Sequence, residues 1–437
     1  MRILLVSTYE LGHQPLHLAS PASRLRHEGH DVRVLDLAVE ESTVDTDWAE
    51  AIAYSVPMHT ALRLAIESAS IVRVVRPELP IAFYGLYAGM GGHDLGVTHL
   101  VGEYEPLLVE WTLDSAPRTL TAIAPQKFGV PHRRELPSLA RYARLIDDRG
   151  ERQVGYVEAS HGCRHRCRHC PIPAVYDGRF RSVGLDIVLA DVDQLVAAGA
   201  EHITFGDPDF LNAPRYSLEV LRAANRAHPG LTSDLTVKVS PILDHRHLWP
   251  EIASLGVVMV VSAFETTNNR ALEILDKGHT SADMAAAVAI VTEAGIELRP
   301  SWLPFTPWTE PNDLADILEF LAEHDMLASV DPVQLSIRLL VPQGSLLADR
   351  SEMGEYDTSK LSLEWTSPFP EVDALQKRVA LLAEEGVGAP PLVTMARIWD
   401  LVIGRPFPPV SARPRPRLSE PWFCCSEPTS QQLLSVL

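Results

Sequence analysis

Short apolar runs alternate with segments of helical periodicity through residues 1–115. "RILLVS" at 2–7 has the continuous apolar character of a buried parallel strand, a helix follows over 15–29, and "DVRVLDL" at 31–37 is the next strand. The pattern continues with strands predicted at 51–56, 80–85 and 98–102 and a helix over about 60–75. This βαβ alternation predicts a doubly wound parallel sheet.

A second alternation of strands and helices occupies residues 151–340. Its strands are predicted at 155–160, 202–207, 235–240, 257–265, 296–303 and 332–340. Six units are too few for an eightfold barrel, so the pattern predicts a partial (β/α)6 barrel. Beyond it the sequence predicts an amphipathic helix at about 371–386, followed by the Pro/Arg-rich stretch "SARPRPRL".

The fold class is therefore α/β, with more than one core, as a chain of 437 residues requires. The predicted parts are a flavodoxin-like domain at 1–115, a connector at 116–150, the partial barrel at 151–340 and an irregular C-terminal extension at 341–437.

Charge and cysteine usage narrow the class of protein. The net charge of −19 argues against general nucleic-acid binding, which needs a basic surface. The sequence shows neither a signal peptide nor an apolar run long enough to span a bilayer, so we expect a cytoplasmic protein without a membrane partner. Five cysteines, three of them crowded together, fit metal binding in a reducing compartment better than a disulfide framework.

The crowded cysteines are Cys163, Cys167 and Cys170, spaced Cys-x3-Cys-x2-Cys in the loop after the first barrel strand. Closed zinc sites and fully protein-bound iron–sulfur cubanes need four protein ligands, so three thiols indicate an open metal position. The alternative is a Cys3His zinc site completed by one of the neighbouring histidines, which are His161, His165 and His169.

This loop resembles the signature of the radical S-adenosylmethionine (SAM) superfamily, in which His169 takes the place of an aromatic residue before the third cysteine. The resemblance implies a [4Fe–4S] cluster on the three cysteines, with S-adenosylmethionine on the fourth iron. It also implies reductive cleavage of the sulfonium, and so an enzyme, most simply a transferase.

The resemblance implies further residues as candidates for cofactor binding. "FGDPDF" stands where the family contacts the methionine amino group, "KVS" where it contacts the ribose or carboxylate, and "SAFETTNNRALEILDKGHT" matches an "ES…L…KG" pattern of family members. The candidates are Gly206, Asp207, Pro208, Ser240, Glu265 and Arg299. The alternatives are a strand-ending turn at Pro208, a helix cap at Ser240 and an ordinary surface ion pair at Arg299.

The N-terminal segments "ILLVS", "RPELPIAFYG" and "VGEYEPLLVE" resemble the cobalamin-binding domain that precedes the barrel in many such enzymes. Its Asp-x-His-x-x-Gly loop is replaced here by "TYELGHQPLHL", in which His13 and His17 do not have the motif's spacing. We therefore expect cobalamin, if it binds, to have no protein histidine on cobalt. The alternatives are a domain that binds nothing and a plain docking module.

Reductive cleavage needs an electron donor, and the family's donors, flavodoxin and ferredoxin, are usually acidic. The arginine patch beside the cysteine loop offers a docking surface for such a donor, and its alternative is an ordinary solvated loop. Its members are Arg164, Arg166, Arg168, Arg179 and Arg181.

The remaining cysteines, Cys424 and Cys425, stand in "PWFCCSEPTSQQLLSVL". Adjacent Cα atoms are only about 3.8 Å apart, which suits a disulfide poorly, so we expect free thiols. This tail resembles that of a radical-enzyme group named for a Cys-Cys-Ala-Glu-Pro or selenocysteine-containing ending (CCAEP/CUAEP), with Ser426 in place of the alanine. Soft thiol pairs suit arsenic or selenium, which makes the two cysteines candidate catalytic residues; the alternative is a frayed terminus with incidental cysteines.

The expected function is radical or group transfer to a small molecule, with carbon–arsenic or carbon–selenium bond formation as one form of it. A cobalamin-dependent radical SAM methyltransferase is the alternative within enzymes. A non-catalytic metal-binding or sensor protein is the alternative from another class.

Overall fold

The computed structural model describes residues 1–411 and 413–420. Within that part of the chain, no helix is both long and apolar enough to cross a membrane. Two sheets organise the molecule, and each is built largely from parallel strands.

The first sheet has six parallel strands in the order β2-β1-β3-β4-β5-β6 and confirms the doubly wound prediction. Its strands are β1 (Arg2–Ser7), β2 (Asp31–Asp36), β3 (Ala51–Ser55), β4 (Ile81–Gly85), β5 (Thr98–Gly102) and β6 (Thr119–Ala122). Its helices are α1 (Leu16–His27), α2 (His59–Val75) and α3 (Tyr104–Leu113). The sixth strand extends this sheet beyond residue 115, into the predicted connector.

Both faces of the first sheet are covered, which is why its inner strands β1, β3 and β4 are almost entirely buried. Leu25 of α1 and Trp111 of α3 belong to the core on one face, and Leu62 and Val72 of α2 belong to the core on the other.

The second sheet is the half-barrel. Its strands and those beside it are β7 (Arg144–Asp147), β8 (Gly150–Val157), β9 (Ser160–Gly162), β10 (Phe180–Ser182), β11 (His202–Phe205), β12 (Thr232–Thr236), β13 (Val257–Glu265) and β14 (Glu297–Trp302). Its helices are α4 (Pro171–Tyr176), α5 (Leu185–Ala197), α6 (Pro214–Ala227), α7 (Val239–Asp244), α8 (Trp249–Ser254), α9 (Asn269–Ile274), α10 (Ser281–Glu293) and α11 (Asp313–Glu323). Five strands, β8 and β11 to β14, run parallel, and β7 pairs antiparallel with β8.

Three predicted strands differ in the structure. The strand predicted at 155–160 is β8, which begins earlier, at Gly150, and ends at Val157. The strand predicted at 235–240 ends at Thr236, and residues 239–244 form α7 instead. The sixth predicted strand, at 332–340, begins as a 3₁₀ helix (Pro332–Ser336) because the fixed φ of Pro332 suits a first helical turn. Only an isolated parallel bridge between Phe305 and Arg338 continues the sheet there.

The C-terminal extension is more regular than the sequence predicts and joins the two domains. Its elements are β15 (Tyr356–Asp357), β16 (Ser362–Leu363), α12 (Pro370–Glu385), α13 (Pro391–Ile403) and β17 (Arg417–Leu418). The hairpin of β15 and β16 reaches the first domain, where His59 Nε2 donates to the Lys360 carbonyl at 2.8 Å and Leu361 enters the core.

Residues 413–420, here called the strap, cross the open side of the half-barrel. Arg415 is buried and pairs with Glu297 of β14 at 2.9 Å, whereas β17 pairs antiparallel with β7 at the opposite edge. The strap then ends against the first domain, where Tyr9 donates to Glu420 at 3.0 Å. A buried ion pair, backbone pairing and this hydrogen bond therefore hold the strap against both domains.

Candidate active site

The cysteine loop lies at the carboxyl end of β8, between the hairpin of β9 and β10 and helix α4. Gly162, just before it, has φ of 73°, and a side chain there would collide with the Arg179 carbonyl. Cys163 and Cys167 are buried, and Cys170, the residue before Pro171, is partly exposed. The three thiols of the predicted set thus lie on one short loop at this edge of the half-barrel.

Two polar side chains from other loops contact the sulfurs. Lys238 Nζ lies 3.2 Å from the Cys167 Sγ, and Asn212 Nδ2 lies 3.7 Å from the Cys163 Sγ. Asn212 also accepts the Arg164 backbone N–H at 3.1 Å, which fixes the loop. Burial raises the pKa of the Cys163 thiol, so a bound metal would have to supply the charge that favours its thiolate. Three soft sulfur donors fit an iron–sulfur cluster.

Glu265 links the loop to the carboxyl end of β13. Its carboxylate accepts from His169 Nε2 at 3.1 Å and from Lys277 Nζ at 2.9 Å, so the predicted candidates Glu265 and His169 are in contact. Burial opposes ionisation, yet the charges of Lys277 and His169 hold the pKa of Glu265 well below its usual range. The Nδ1 atom of His169 is buried without a hydrogen-bond partner among the described residues.

The three histidines offered for a zinc site are each held by a carboxylate. His161 pairs with Glu103 at 3.0 Å, and His165 pairs with Asp209 at 2.9 Å, in the same way as His169 pairs with Glu265. Within residues 1–411 and 413–420, no three His, Cys, Asp or Glu side chains converge as ligands of a single metal ion. The geometry therefore does not assemble the Cys3His alternative.

The "FGDP" segment follows β11, as predicted. Gly206 must lack a side chain because a Cβ there would collide with the ring of Tyr156. Asp207 turns its carboxylate toward the start of β9, where it accepts from the Ala159 N–H at 2.9 Å and from the Ser160 hydroxyl. Burial raises the pKa of Asp207 to about 7 despite these hydrogen bonds. Pro208 is partly exposed. Cofactor contacts by these residues stay a prediction.

Ser240 and Arg299 are placed differently from what the sequence suggests. Ser240 lies in the first turn of α7, whose N-cap is Lys238, so it neither ends a strand nor caps the helix. Arg299 lies within β14, is buried and donates to Asp331 at 3.3 Å, so its ion pair is not a surface one. Its Nη1 atom has no hydrogen-bond partner within the described residues, and burial lowers the pKa of Arg299.

A buried acid–histidine network joins the two domains and was missed from the sequence. Its members, in order of contact, are Glu10, His17, Glu158, His161 and Glu103. Successive contacts measure 2.5, 3.3, 3.4 and 3.0 Å. Glu10 and Glu103 follow β1 and β5, and Glu158 and His161 follow β8, so the carboxyl edges of the two sheets face each other.

The charges within this network support one another. Burial would raise the pKa of Glu158, but the charges of His17 and His161 lower it to about 2. Burial would likewise lower the pKa of His161, but the hydrogen bond with Glu103 and the nearby carboxylates raise it to about 9. The same balance raises the pKa of His17. Near neutral pH Glu158 is therefore an anion between two cationic histidines, His17 and His161.

His13 and His17, which follow β1, both contact other side chains. His17 contacts Glu10 through Nδ1 and Glu158 through Nε2, so neither ring nitrogen is left for a metal. His13 stacks on Tyr156 with ring centroids 4.8 Å apart, and burial lowers its pKa to about 4. The expectation that no protein histidine binds cobalt stays a prediction.

The arginine patch is mostly exposed. Arg164, Arg166, Arg168 and Arg179 are exposed, and Arg166 pairs with Asp177. Arg181 is partly buried and donates to the Ile123 carbonyl at 2.7 Å. The catalytic candidates Cys424 and Cys425 lie outside the described residues, so their role stays a prediction.

The class of the barrel is shown by comparison. Residues 157–321 match the model of the Radical SAM superfamily, so this segment is a radical SAM domain. That family implies a [4Fe–4S] cluster and S-adenosylmethionine, and the cysteine loop has the donors to hold them.

Similar folds extend across both domains. OxsB, a cobalamin-dependent S-adenosylmethionine radical enzyme solved with aqua-cobalamin and S-adenosylmethionine, is 14% identical with a TM-score of 0.66, over 89% of this chain and 67% of OxsB. The radical SAM methyltransferase TsrM from Kitasatospora setae, solved with tryptophan and a SAM analogue, is 15% identical with a TM-score of 0.62, over 87% of this chain and 89% of TsrM. At these identities the likeness is one of fold. The resemblance to the CCAEP-tail group stays a prediction.

Proposed function

We propose that the protein is a radical SAM enzyme that binds a [4Fe–4S] cluster through Cys163, Cys167 and Cys170 and modifies a small molecule. The observation that carries this proposal is the loop of three thiols at the carboxyl edge of the half-barrel, with two sulfurs buried and each of those two contacted by a polar side chain. A bound cluster supplies one electron to the sulfonium of S-adenosylmethionine, whose carbon–sulfur bond then breaks.

The chain's own residues prepare the site for that chemistry. Asn212 and Lys238 orient the sulfurs, and Glu265 fixes His169 beside the third cysteine. Most of this machinery is buried, which excludes water from a reactive centre. Glu265 itself adopts φ of 68° at an irregularity in β13, and such strain at a strand end is commonly retained for function.

A cobalamin-dependent group transfer is the second candidate, supported by the way the two sheets meet. A cofactor at the carboxyl edge of the first sheet would face the barrel that carries the cysteine loop, since the acid–histidine network brings these edges together. A cavity of about 390 Å³ lies at the carboxyl ends of β1 and β2, on the edge of the sheet at which doubly wound folds bind ligands, and Tyr9, Tyr142 and Glu420 line it. OxsB and TsrM, whose folds are similar, have been solved with cobalamin.

We further propose that Cys424 and Cys425 hold a soft substrate, such as an arsenic or selenium species, or donate a thiolate or hydrogen atom. The support is the position of Glu420, which is held against Tyr9 at the junction of the two domains. Cys425 is five residues beyond this anchor. A fully extended chain of that length spans about 17 Å, so the thiols stay within reach of the junction.

The test is anaerobic reconstitution followed by identification of the product of S-adenosylmethionine cleavage. 5′-Deoxyadenosine supports adenosyl radical chemistry, S-adenosylhomocysteine supports methyl transfer, and methylthioadenosine supports transfer of the aminocarboxypropyl group. A stable brown cluster that never cleaves S-adenosylmethionine would favour the sensor alternative.

Two cysteine variants are matched controls for each other. Replacing Cys163, Cys167 and Cys170 by Ala should abolish the brown colour and the cleavage, and a triple variant that still binds about four irons would contradict the proposal. Cys424→Ser/Cys425→Ser should keep both the colour and the cleavage but lose product formation. Product at the wild-type rate would exclude the tail from the chemistry.

A further inference from the structure

Lys238 is a buried lysine that directly contacts a candidate cluster ligand. It follows β12 and forms the N-cap of α7, with its backbone extended at φ of −67° and ψ of 159°. The residue is 8% exposed, and its Nζ lies 3.2 Å from the Cys167 Sγ. The helix start thus aims a cationic side chain at the second sulfur of the loop.

Among the described residues Lys238 has no carboxylate partner, unlike the other buried lysine nearby. Lys277 is paired with Glu265 at 2.9 Å. For Lys238, within residues 1–411 and 413–420, no carboxylate lies within 4.0 Å. His279, which lies near both lysines, has its pKa lowered to about 4, chiefly by burial, so near neutral pH it is an uncharged imidazole and adds no second positive charge there.

A buried, unpaired ammonium is costly, because desolvation of the charge is not repaid by a counter-charge. A thiolate on Cys167 supplies that counter-charge, and the negative charge of the site grows when a cluster is reduced. Hydrogen bonds and charges at the ligand sulfurs are among the factors that set the potential of iron–sulfur clusters.

We infer that Lys238 is a positioning residue that raises the reduction potential of the cluster by stabilising its reduced form through Cys167. The inference rests on the proposed function. One electron is added by the electron donor, and no bond is made or broken in this step. Lys238 therefore determines how easily an electron donor can reduce the cluster before S-adenosylmethionine is cleaved.

The test is a redox titration of the reconstituted full chain without S-adenosylmethionine, with the reduced cluster followed by electron paramagnetic resonance. Lys238→Met removes the charge and the donor, and Lys238→Gln removes the charge alone. Each should lower the ratio of reduced to oxidised cluster about tenfold at the wild-type midpoint, a fall of about 59 mV for one electron. Lys238→Arg, which keeps the charge, should retain most of the wild-type potential.

Lys377→Met is the matched control, because Lys377 is exposed on α12 and its removal changes the net charge by the same amount. Its midpoint should equal that of the wild type. Equal midpoints in the wild type, Lys238→Met and Lys238→Gln would overturn the inference. If these variants had wild-type midpoints but bound S-adenosylmethionine more weakly, Lys238 would instead be a ligand for the carboxylate of S-adenosylmethionine. Failure of the wild type to bind iron would instead overturn the proposed function.

Discussion

Glu158 occupies the centre of the acid–histidine network, and its replacement tests whether that network holds the two domains together. The carboxylate accepts from the Tyr156 hydroxyl at 2.8 Å and lies 3.3 Å from His17 Nε2 and 3.4 Å from His161 Nε2. In Glu158→Gln one oxygen becomes an amide group, which donates and so opposes a protonated histidine. The substitution keeps the shape of the side chain and removes the central negative charge.

The expected cost follows from the burial of all three partners. Removing one partner of a buried ion pair costs about 3–5 kcal/mol. Glu10 and Glu103 still neutralise the two histidines in the variant, so we expect about 3 kcal/mol, the lower end of that range. The pKa of Glu158 is about 2 in the folded protein and 4.5 ordinarily. Its stabilising contribution is therefore full above pH 4.5 and is lost as the pH falls toward 2.

The assay is urea denaturation at pH 7 and again at pH 3, with circular dichroism of the native state as a check on the fold. Glu251→Gln is the control, because Glu251 pairs with Arg222 at 2.7 Å but both side chains are well exposed. We expect the control to cost less than about 1 kcal/mol. If Glu158→Gln costs no more than the control at pH 7, or if its cost does not shrink at pH 3, the reasoning is refuted.

Other parts of the molecule give three further predictions. Burial makes the folded protein hold the proton of Asp207 up to about pH 7, so wild-type stability should fall with rising pH from 3.8 to about 7 and Asp207→Asn should fall less; equal slopes would contradict this. Reduction by an acidic donor at the arginine patch should slow as salt shortens the Debye length to about 8 Å, and salt-independent rates would make those arginines ordinary surface. Arg415→Met should destabilise the chain in thermal melting by about 3 kcal/mol or more, since its pair with Glu297 is buried, whereas Arg405→Met, at an exposed pair, should change stability little.

Most of the parallel strands were predictable because their apolar pattern is local, whereas β6, with alternating exposure, lies in the segment predicted as a connector. β1 and β13 are apolar runs of the expected length, and both form close to their predicted bounds. The segment at 332–340 has similar apolar content, but Pro332 begins a 3₁₀ turn there, and tertiary position rather than periodicity decides its conformation. A proline at the start of a predicted strand was the signal that could have corrected it.

The part of the candidate site that the cysteine motif defines was predictable from the sequence. The three cysteines lie on one loop and carry their spacing in the sequence, whereas the acid–histidine network draws its members from segments far apart in the chain, such as Glu103 and His161, which are 58 residues apart. The sequence does contain a signal for Lys238, because a lysine between two valines in "TVKVS" is unusual in a buried segment at the end of a strand. Its partner could be found only from the fold.

The strap also has a consequence for how the protein is made. Tyr9 and Glu420 are 411 residues apart in sequence, yet they are hydrogen-bonded, so the contact joins one segment to another that is synthesised 411 residues later. Until β17 arrives, the outer edge of β7 has unpaired backbone groups, and such an edge can pair with another chain. Domains generally fold in the order of their synthesis, so the first sheet can form early. The half-barrel stays open on one side until residues 413–420 have been synthesised. A nascent or truncated chain that lacks residues 413–420 should therefore aggregate through that edge, even though every strand of the first domain is present.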